Sequence, residues 1–192
     1  MSTLTIYRPL QSNLMTQKFG ENKLNYAQFG LVAHNGFDLI AWSGEPVYHS
    51  GDFEGVMFTE VDRMGGIGVD VFSNKPMLMG KRVKLRYWHL KTVIGWDGRR
   101  VKPGDLIGLA DTTGFSTGNH LHFGLKMVDE NNKSLNTDNG YFGGIDPMLY
   151  YKNVFIVKAL TDVKAQALTV IELAKKLIFD IRNFLKGRKS IK

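Results

Sequence analysis

Two short segments carry an imidazole and a carboxylate, or two imidazoles, at spacings that suit a shared site. His34 and Asp38 stand four residues apart, and these side chains are ligands that a small borderline cation such as zinc accepts. Gly36 and the β-like flanks predict an extended loop or a strand entry there, not one face of a helix. The alternative interpretation is that His34 caps a turn while Asp38 makes a surface hydrogen bond.

The second segment is a pair of histidines, His120 and His122, at the start of a predicted strand. Side chains two residues apart on a strand point to the same face, so both imidazoles can converge on one site while Leu121 faces the opposite layer. The alternative is that both rings lie exposed on the solvent-facing side of the sheet and bind no metal. The spacing does not distinguish which of the two binds a metal.

His89 ends the strand-like run that begins at Val83, whereas His49 has no partner motif and is expected to be a structural strand or turn residue. The chain has no cysteine, so thiolate metal sites, cysteine nucleophiles and disulfides are excluded. A catalytic zinc keeps about three protein ligands and an open position for water. The sequence offers more candidate side chains than these three ligands, so the candidates that do not bind zinc can transfer protons during amide hydrolysis. The candidates are His34, Asp38, His89, His120 and His122.

Short β-like runs separated by turn signals predict a mainly antiparallel β domain in the first part of the chain. The turns include Asp97-Gly98, Pro103-Gly104-Asp105 and the loop from Thr113 to Asn119. The predicted strands are Gly66 to Phe72, Arg82 to Trp88, Leu106 to Leu109 and Leu121 to Val128.

The net charge of +7 divides unevenly along the chain of 192 residues. Residues 1–150 carry equal numbers of acidic and basic side chains, while residues 151–192 carry ten Lys+Arg against three Asp+Glu. The sequence therefore predicts two parts, a catalytic β domain over 1–150 and a basic helical tail over 151–192.

The tail has apolar residues at alternating spacings of three and four, which predicts a long amphipathic helix over about residues 155–185. Thr161 or Asp162 lies near the expected start, and Gly187 with its neighbouring cations is the expected stop. Charged residues interrupt every apolar run, so the helix is too polar to cross a bilayer. Three roles are open for it: packing on its own domain, self-association, and binding to an anionic membrane or wall polymer.

Several motifs, in this order and spacing, resemble the lysostaphin-like, LytM-type peptidoglycan endopeptidases. The resemblance covers roughly residues 17 to 150 and includes the β-sheet fold of duplicated hybrid motif type. It rests on His34-x-x-x-Asp38, Tyr87-Trp88-His89-Leu90, Val101-Lys102-Pro103-Gly104-Asp105-Leu106-Ile107-Gly108, and Thr113-Gly114-Phe115-Ser116-Thr117-Gly118-Asn119-His120-Leu121-His122-Phe123.

The resemblance implies one zinc held by His34, Asp38 and His122, with water as the fourth ligand. It implies that His89 and His120 are the catalytic histidines. Tyr26 or Phe29 lies near a position where relatives can carry a tyrosine that helps the transition state, but neither residue is assigned this role. Trp88 departs from the family pattern, which more often has a small residue before the histidine, and it is expected to narrow the cleft or to pack against the sheet.

The implied function is hydrolysis of peptide crosslinks or stem-peptide bonds of bacterial peptidoglycan. The segment from Met1 to Pro9 shows no secretory signal pattern, so synthesis in the cytoplasm is expected. Action on the wall then favours a phage endolysin or virion-associated lysin, reaching the wall through phage-mediated release. The alternative is a zinc-free LytM-like regulator of another wall hydrolase, although such domains lack ligands and this chain retains all five candidates.

The sequence disfavours two further classes of protein. The turn at Pro103-Gly104 resembles that of biotinyl or lipoyl carriers, but no lysine at a preceding hairpin tip is present. The sequence pI near 9.5 prompts nucleic-acid binding, yet the β domain is neutral and carries no known motif. We therefore expect peptidoglycan as the partner and no nucleic acid.

Overall fold

The chain divides into two compact units, Met1–Ile156 and Val157–Lys192. The computed structural model describes the backbone of residues 4–188 and the side chains of residues 4–178. The first unit is mainly β, as predicted. It extends past residue 150 because the strand that follows pairs with the first strand of the chain.

Twelve strands make up the β structure of the first unit. Two 3-10 turns, Tyr26–Phe29 and Pro147–Leu149, connect some of them. The strands are β1 (Ile6–Arg8), β2 (Met15–Gln17), β3 (Phe37–Ile40), β4 (Pro46–Tyr48), β5 (Gly55–Asp62), β6 (Gly66–Ser73), β7 (Arg82–Val93), β8 (Arg100–Val101), β9 (Leu106–Ala110), β10 (His120–Val128), β11 (Gly144–Ile145) and β12 (Tyr151–Phe155).

Ten of the strands form one antiparallel sheet with the order β2-β3-β10-β7-β6-β5-β8. β11 joins β10, while β9 pairs with both β4 and the last residues of β7. β1 and β12 form a separate parallel pair. β10 lies between β3 and β7, so the chain segments that contain Asp38, Trp88 and His122 are neighbours in the sheet.

One face of the central strands packs into the apolar core. Leu85 and Tyr87 of β7, Leu121 and Phe123 of β10, and Phe37 of β3 are all fully buried or nearly so. Phe37 stacks on Phe123 at a centroid distance of 5.0 Å. Burial of each such side chain contributes about 1.5–3 kcal/mol, which holds β3 against β10.

The four predicted strands correspond to β6, β7, β9 and β10, with small differences at their ends. The largest extension is in β7, which continues from Trp88 through His89 to Val93. Its last residues, from Leu90 onward, pair with β9 along the edge where the pairing with β10 ends at Trp88, while β6 stays paired with the other edge as far as Leu90. His89 therefore lies where β9 replaces β10 as the neighbour of β7.

The opposite face of the same strands carries buried ionic groups. Asp70 on β6 is fully buried and pairs with Lys84 Nζ at 2.7 Å and with Arg86 Nε at 2.9 Å. Lys126 of β10 lies opposite Lys84 in the sheet register and is 6% exposed. Two of the three cations on this face therefore pair with the one buried carboxylate, and Lys126 does not.

The helix α1 (Ile156–Arg188) is 33 residues long. It begins at Ile156, within one residue of the predicted range of about 155–185, and Thr161 lies inside the helix, where its hydroxyl donates to the Val157 carbonyl at 2.9 Å. The backbone is helical to Arg188, one residue beyond the predicted stop at Gly187. Among the described residues, no helix has the length and apolar content of a membrane span.

Candidate functional site

Three side chains from distant parts of the sequence meet at one point. His34 Nε2 lies 2.8 Å from His122 Nδ1 and 3.1 Å from Asp38 Oδ1, and His122 Nδ1 lies 3.1 Å from the same carboxylate oxygen. His34 and Asp38 are buried and His122 is half-buried. The arrangement is a nearly equilateral triangle of one oxygen and two nitrogens.

The sheet register positions two corners of this triangle. Asp38 of β3 pairs directly with His122 of β10, so their side chains emerge side by side on the same face. His34 lies in the irregular segment just before β3, as the glycine in this motif predicts. Gly36 makes room for the cluster, because a Cβ there would lie 2.3 Å from the Phe123 carbonyl oxygen and 2.8 Å from His122 Cε1.

The protonation of the three groups favours cation binding. Burial raises the pKa of Asp38, but its hydrogen bonds with His122 and His34 outweigh burial and hold the pKa well below the usual range. Burial lowers the pKa of His122 to about 4. His34 Nδ1 lies 3.1 Å from the Lys18 carbonyl oxygen, which can only accept, so Nδ1 carries the proton and Nε2 keeps its lone pair.

These donors fit a zinc ion. Zinc takes imidazole nitrogens and carboxylate oxygens, with bonds of about 2.0–2.2 Å, in both catalytic and structural sites. His34, Asp38 and His122 each direct one such atom to a common point, and these atoms all lie within 4.8 Å of one another. A set of two imidazoles and one carboxylate is the donor set of catalytic zinc sites that keep a further position for water.

His89 lies next to this triangle and is held in an uncommon backbone conformation. Its φ is +64°, the left-handed region, at the register shift between β6 and β7. The His89 amide donates to the Gly65 carbonyl at 3.0 Å, and its carbonyl accepts from the Asp111 amide at 2.9 Å. The bulge turns the ring toward His120, whose centroid is 4.5 Å away.

The ring of His89 is oriented by a backbone carbonyl. Its Nδ1 donates to the Thr113 carbonyl at 2.6 Å, so Nε2 is left without a proton when the ring is neutral. Burial, and then the neighbouring His120 and His122 rings, lower the pKa of His89 to about 3. The ring is therefore neutral at neutral pH and offers an Nε2 lone pair.

His120 is oriented in the same way from the other side. Its Nδ1 donates to the Gly118 carbonyl at 2.8 Å, and the Ser116 hydroxyl lies 3.2 Å from the same nitrogen. Its Nε2 lies 3.7 Å from the second carboxylate oxygen of Asp38. His120 is thus adjacent to the triangle of His34, Asp38 and His122 without being a corner of it.

A cleft of about 480 Å³ contains all five predicted site residues. Phe29 and Phe115 line the cleft from different parts of the chain, and their rings contact each other at a centroid distance of 5.0 Å. Trp88 also lines the cleft and is 4% exposed, with the Arg86 guanidinium 4.0 Å from its ring centroid. Trp88 therefore packs against the sheet and lines the cleft at once.

The indole of Trp88 requires two glycines beside it. A Cβ at Gly65 would lie 1.0 Å from Trp88 Cε3, and one at Gly68 would lie 2.5 Å from Cδ1. Gly65 also accepts the hydrogen bond from the His89 amide. Trp88, the large side chain that departs from the family pattern, thus fits because Gly65 in the β5–β6 turn and Gly68 near the start of β6 carry no side chain.

The sequence left two residues of this site without a role. Tyr26 lines the cleft with its ring 5.6 Å from that of His34, and burial, followed by the charge of Asp38, raises its pKa to about 12. Thr113 holds His89 through its carbonyl. The glycine-rich segment around Thr113 predicts a loop, but which carbonyl meets His89 depends on the fold.

His49, expected to be structural, lies outside the cleft. It is fully buried, with Nε2 2.8 Å from the Phe53 carbonyl oxygen and Nδ1 3.2 Å from the Tyr87 hydroxyl. Burial lowers its pKa to about 4, so the ring is neutral. It is a hydrogen-bonded core residue.

Comparison with known proteins gives a consistent family. The model of peptidase family M23 matches residues 32–137. The peptidoglycan DD-endopeptidases ShyA and ShyB of Vibrio cholerae are 33% and 32% identical over 111 and 109 residues, which is 58% and 57% of this chain. The match spans 24% of the length of each of these relatives.

Solved structures share the fold. The catalytic domain of the antimicrobial peptidase lysostaphin from Staphylococcus simulans has a TM-score of 0.55 and 25% identity, covering 72% of this chain and 91% of that domain. A zinc-containing peptidase from Vibrio cholerae has a TM-score of 0.56 and 26% identity, covering 76% and 39% of the respective chains. The family model matches more than half of the residues of this chain, and the chain therefore belongs to peptidase family M23.

Proposed function

We propose that this chain is a zinc-dependent endopeptidase that hydrolyses peptide bonds of bacterial peptidoglycan. The observation that carries the proposal is the convergence of His34, Asp38 and His122 on one point, with His89 and His120 beside them in one cleft. The names of the relatives ShyA and ShyB, both peptidoglycan DD-endopeptidases, support peptidoglycan as the substrate.

The metal ligands in this proposal are His34 Nε2, Asp38 and His122 Nδ1. Bound zinc supplies a Lewis acid, which polarises a peptide carbonyl and makes water a stronger acid. The ligands stay in the required protonation states at neutral pH because Asp38 is ionised and burial keeps His122 neutral. The Lys18 carbonyl fixes the ring of His34.

His89 and His120 are the proposed proton carriers. In each ring Nδ1–H donates a hydrogen bond to a backbone carbonyl, so Nε2 is the nitrogen that can accept a proton from the attacking water. The protonated imidazole can then donate to the leaving amine or to the developing oxyanion. Two oriented rings share these tasks, which is consistent with amide hydrolysis that needs no covalent intermediate.

Tyr26 is a further proposed contributor to the same reaction. Its raised pKa keeps the hydroxyl protonated, so the side chain can donate a hydrogen bond to oxygen in the cleft. Replacement by phenylalanine keeps the buried ring and removes this donor. We expect lower turnover with an unchanged zinc content.

Digestion of purified sacculi tests the proposed reaction. Zinc-loaded chain is incubated with walls that have direct crosslinks and with walls that have glycine bridges, and the released fragments are identified by mass spectrometry. We expect new amino termini from one class of peptide bond, loss of release with a chelator, and recovery with zinc. Intact peptides with cut glycan strands, or no release by the loaded chain, would contradict the proposal.

The same digestion separates the enzyme from the alternative of a zinc-free regulator. A regulator would bind no zinc and release no fragments alone, but would increase release by another wall hydrolase. A phage lysin, with release from the cytoplasm by the phage, stays a prediction from the sequence. The position of the gene among tail or lysis genes tests it, and a location between ordinary chromosomal genes would count against it.

A further inference from the structure

The helix α1 presents a broad apolar arc to solvent. At about 100° per residue, its larger apolar side chains between residues 160 and 178 fall mainly within about 120° of the helix circumference. Five side chains of this arc are exposed by about half of their surface or more. They are Val163 (63%), Val170 (65%), Ile171 (49%), Leu177 (61%) and Ile178 (51%).

Nearly all of the net charge of the protein lies in the same unit. Residues 157–192 contain nine Lys+Arg and three Asp+Glu, whereas residues 1–156 are almost neutral. Lys164 and Lys175 project next to one edge of the arc at helical spacing, and both are exposed. Long cationic side chains beside an apolar arc can bury their methylene groups while their ammonium groups reach outward.

We propose that α1 binds the surface of an anionic phospholipid bilayer, with its axis along the surface and its apolar arc in the headgroup region. The positive charge matches the negative surface potential of such membranes, and the apolar arc supplies area to bury. Over its described residues, α1 has no stretch that is long and apolar enough to cross a membrane. This inference concerns the second unit and does not rest on the proposed peptidase activity.

The arc fits a lipid surface better than a second copy of the helix. A two-stranded coiled coil needs large side chains at successive seam positions, and here Ala167 and Ala174 lie on the midline of the arc. Leu168 and Leu173 are also exposed, 64% and 63%, and lie outside the arc where such a seam would leave them uncovered. A bilayer surface can accept a broad and uneven apolar face.

Vesicle sedimentation of the full chain tests this proposal with a matched pair of variants. Val170→Glu places a carboxylate in the arc, and Thr169→Glu places the same charge on the polar side, one residue away. For vesicles of phosphatidylglycerol and phosphatidylcholine, we expect Val170→Glu to weaken binding at least about tenfold and Thr169→Glu to weaken it much less. Vesicles of phosphatidylcholine alone should bind weakly, and added salt should reduce binding.

Three results would overturn the proposal. These are the absence of sedimentation with anionic vesicles, equal weakening by both substitutions, and a concentration-dependent dimer in light scattering that Val170→Glu alone abolishes. The last would assign the arc to self-association. Leu177→Glu, in the same arc, repeats the test at a second position, and circular dichroism with vesicles checks that each variant remains helical.

Discussion

His89 has a left-handed backbone conformation inside an otherwise extended strand. A non-glycine residue at φ +64° costs about 1–3 kcal/mol and persists only where its surroundings fix it. Here the Gly65 carbonyl and the Asp111 amide bind its backbone, and the Thr113 carbonyl binds its ring. The conformation thus directs an imidazole into the cleft.

The Thr113 side chain should control how well His89 is placed. Its hydroxyl donates to the Leu90 carbonyl at 2.8 Å and accepts from the Ile67 amide at 3.1 Å, which fixes the carbonyl that orients the ring. For Thr113→Val we expect kcat about tenfold to a hundredfold lower, with KM and zinc content unchanged. Steady-state hydrolysis of soluble peptidoglycan fragments and metal analysis measure these quantities.

Thr113→Ser is the matched control, because it keeps the hydroxyl and loses only a methyl group. It should retain most of the wild-type kcat. If the serine and valine variants lost activity equally, or if both lost zinc, the hydroxyl would not act through His89.

Gly36 should be required for zinc affinity although it binds no metal. A Cβ at this position would meet the Phe123 carbonyl oxygen and the ring of His122 at distances that atoms do not adopt. We expect Gly36→Ala to weaken zinc binding about tenfold to a hundredfold, by displacing His122. Competition with a chelator of known affinity measures the change.

The control for that substitution is Gly124→Ala, on the same strand as His122. A Cβ there would make ordinary contacts of 3.5–3.6 Å with Arg86, so zinc affinity should stay near that of the wild type. Equal losses in both variants would indicate a general disturbance of β10. Unchanged affinity in Gly36→Ala would show that His122 does not depend on this space.

Spacing in the sequence predicted which residues converge on the cleft, but only the family resemblance separated His122 from His120. A strand spacing of two predicts that His120 and His122 share a face, yet it is silent on which ring meets Asp38. That distinction depends on the register of β10 against β3, where Asp38 pairs with His122. The positive φ of His89 arises from contacts of Gly65 and Asp111, which no local pattern reveals.

At the scale of elements, alternation and turn residues predicted β6, β7, β9 and β10. The alternating spacing of apolar residues predicts a helix over about residues 155–185, and α1 begins at Ile156, directly after β12. Thr161 and Asp162, which as favourable capping residues are expected near the start, lie inside the helix. No capping residue marks the change from strand to helix, so a capping signal alone does not locate it.

Lys126 on β10 should destabilise the folded protein at neutral pH. Burial, and then Arg86 and Lys84, lower its pKa to about 7, and no described residue pairs with its ammonium group. Because the folded state binds fewer protons between about pH 7 and 10.5, stability rises with pH in that interval. We expect Lys126→Met to raise the free energy of unfolding by about 2 kcal/mol at pH 7 and by less at pH 9.5.

Lys84→Met is the control for this substitution. Lys84 lies across from Lys126 on β7, and its removal is expected to have the opposite effect on stability. Lys84 pairs with the buried Asp70, so its removal should lower the free energy of unfolding, by less than the roughly 3–5 kcal/mol of an unpaired buried charge because Arg86 still pairs with Asp70. Urea unfolding of zinc-loaded proteins at the two pH values gives these comparisons. A destabilising Lys126→Met, or a gain that grows with pH, would contradict the assigned pKa.

At the scale of the whole molecule, the site depends on strand order, which the sequence did not predict. His34 and His122 are 88 residues apart and meet only because β10 is inserted between β3 and β7. Strand-like runs do not specify their neighbours, since many orders bury similar apolar faces. The motif resemblance supplied the expectation of convergence that periodicity alone did not.

The proposed peptidase activity requires that His34, Asp38 and His122 hold one zinc ion while His89 acts beside it. The most direct measurement is the zinc content per chain, by elemental analysis after zinc loading and gel filtration, of the wild type, His122→Ala and His89→Ala. We predict about one zinc in the wild type and in His89→Ala, and little in His122→Ala. A wild type without zinc, or equal zinc loss in the two variants, would contradict this account.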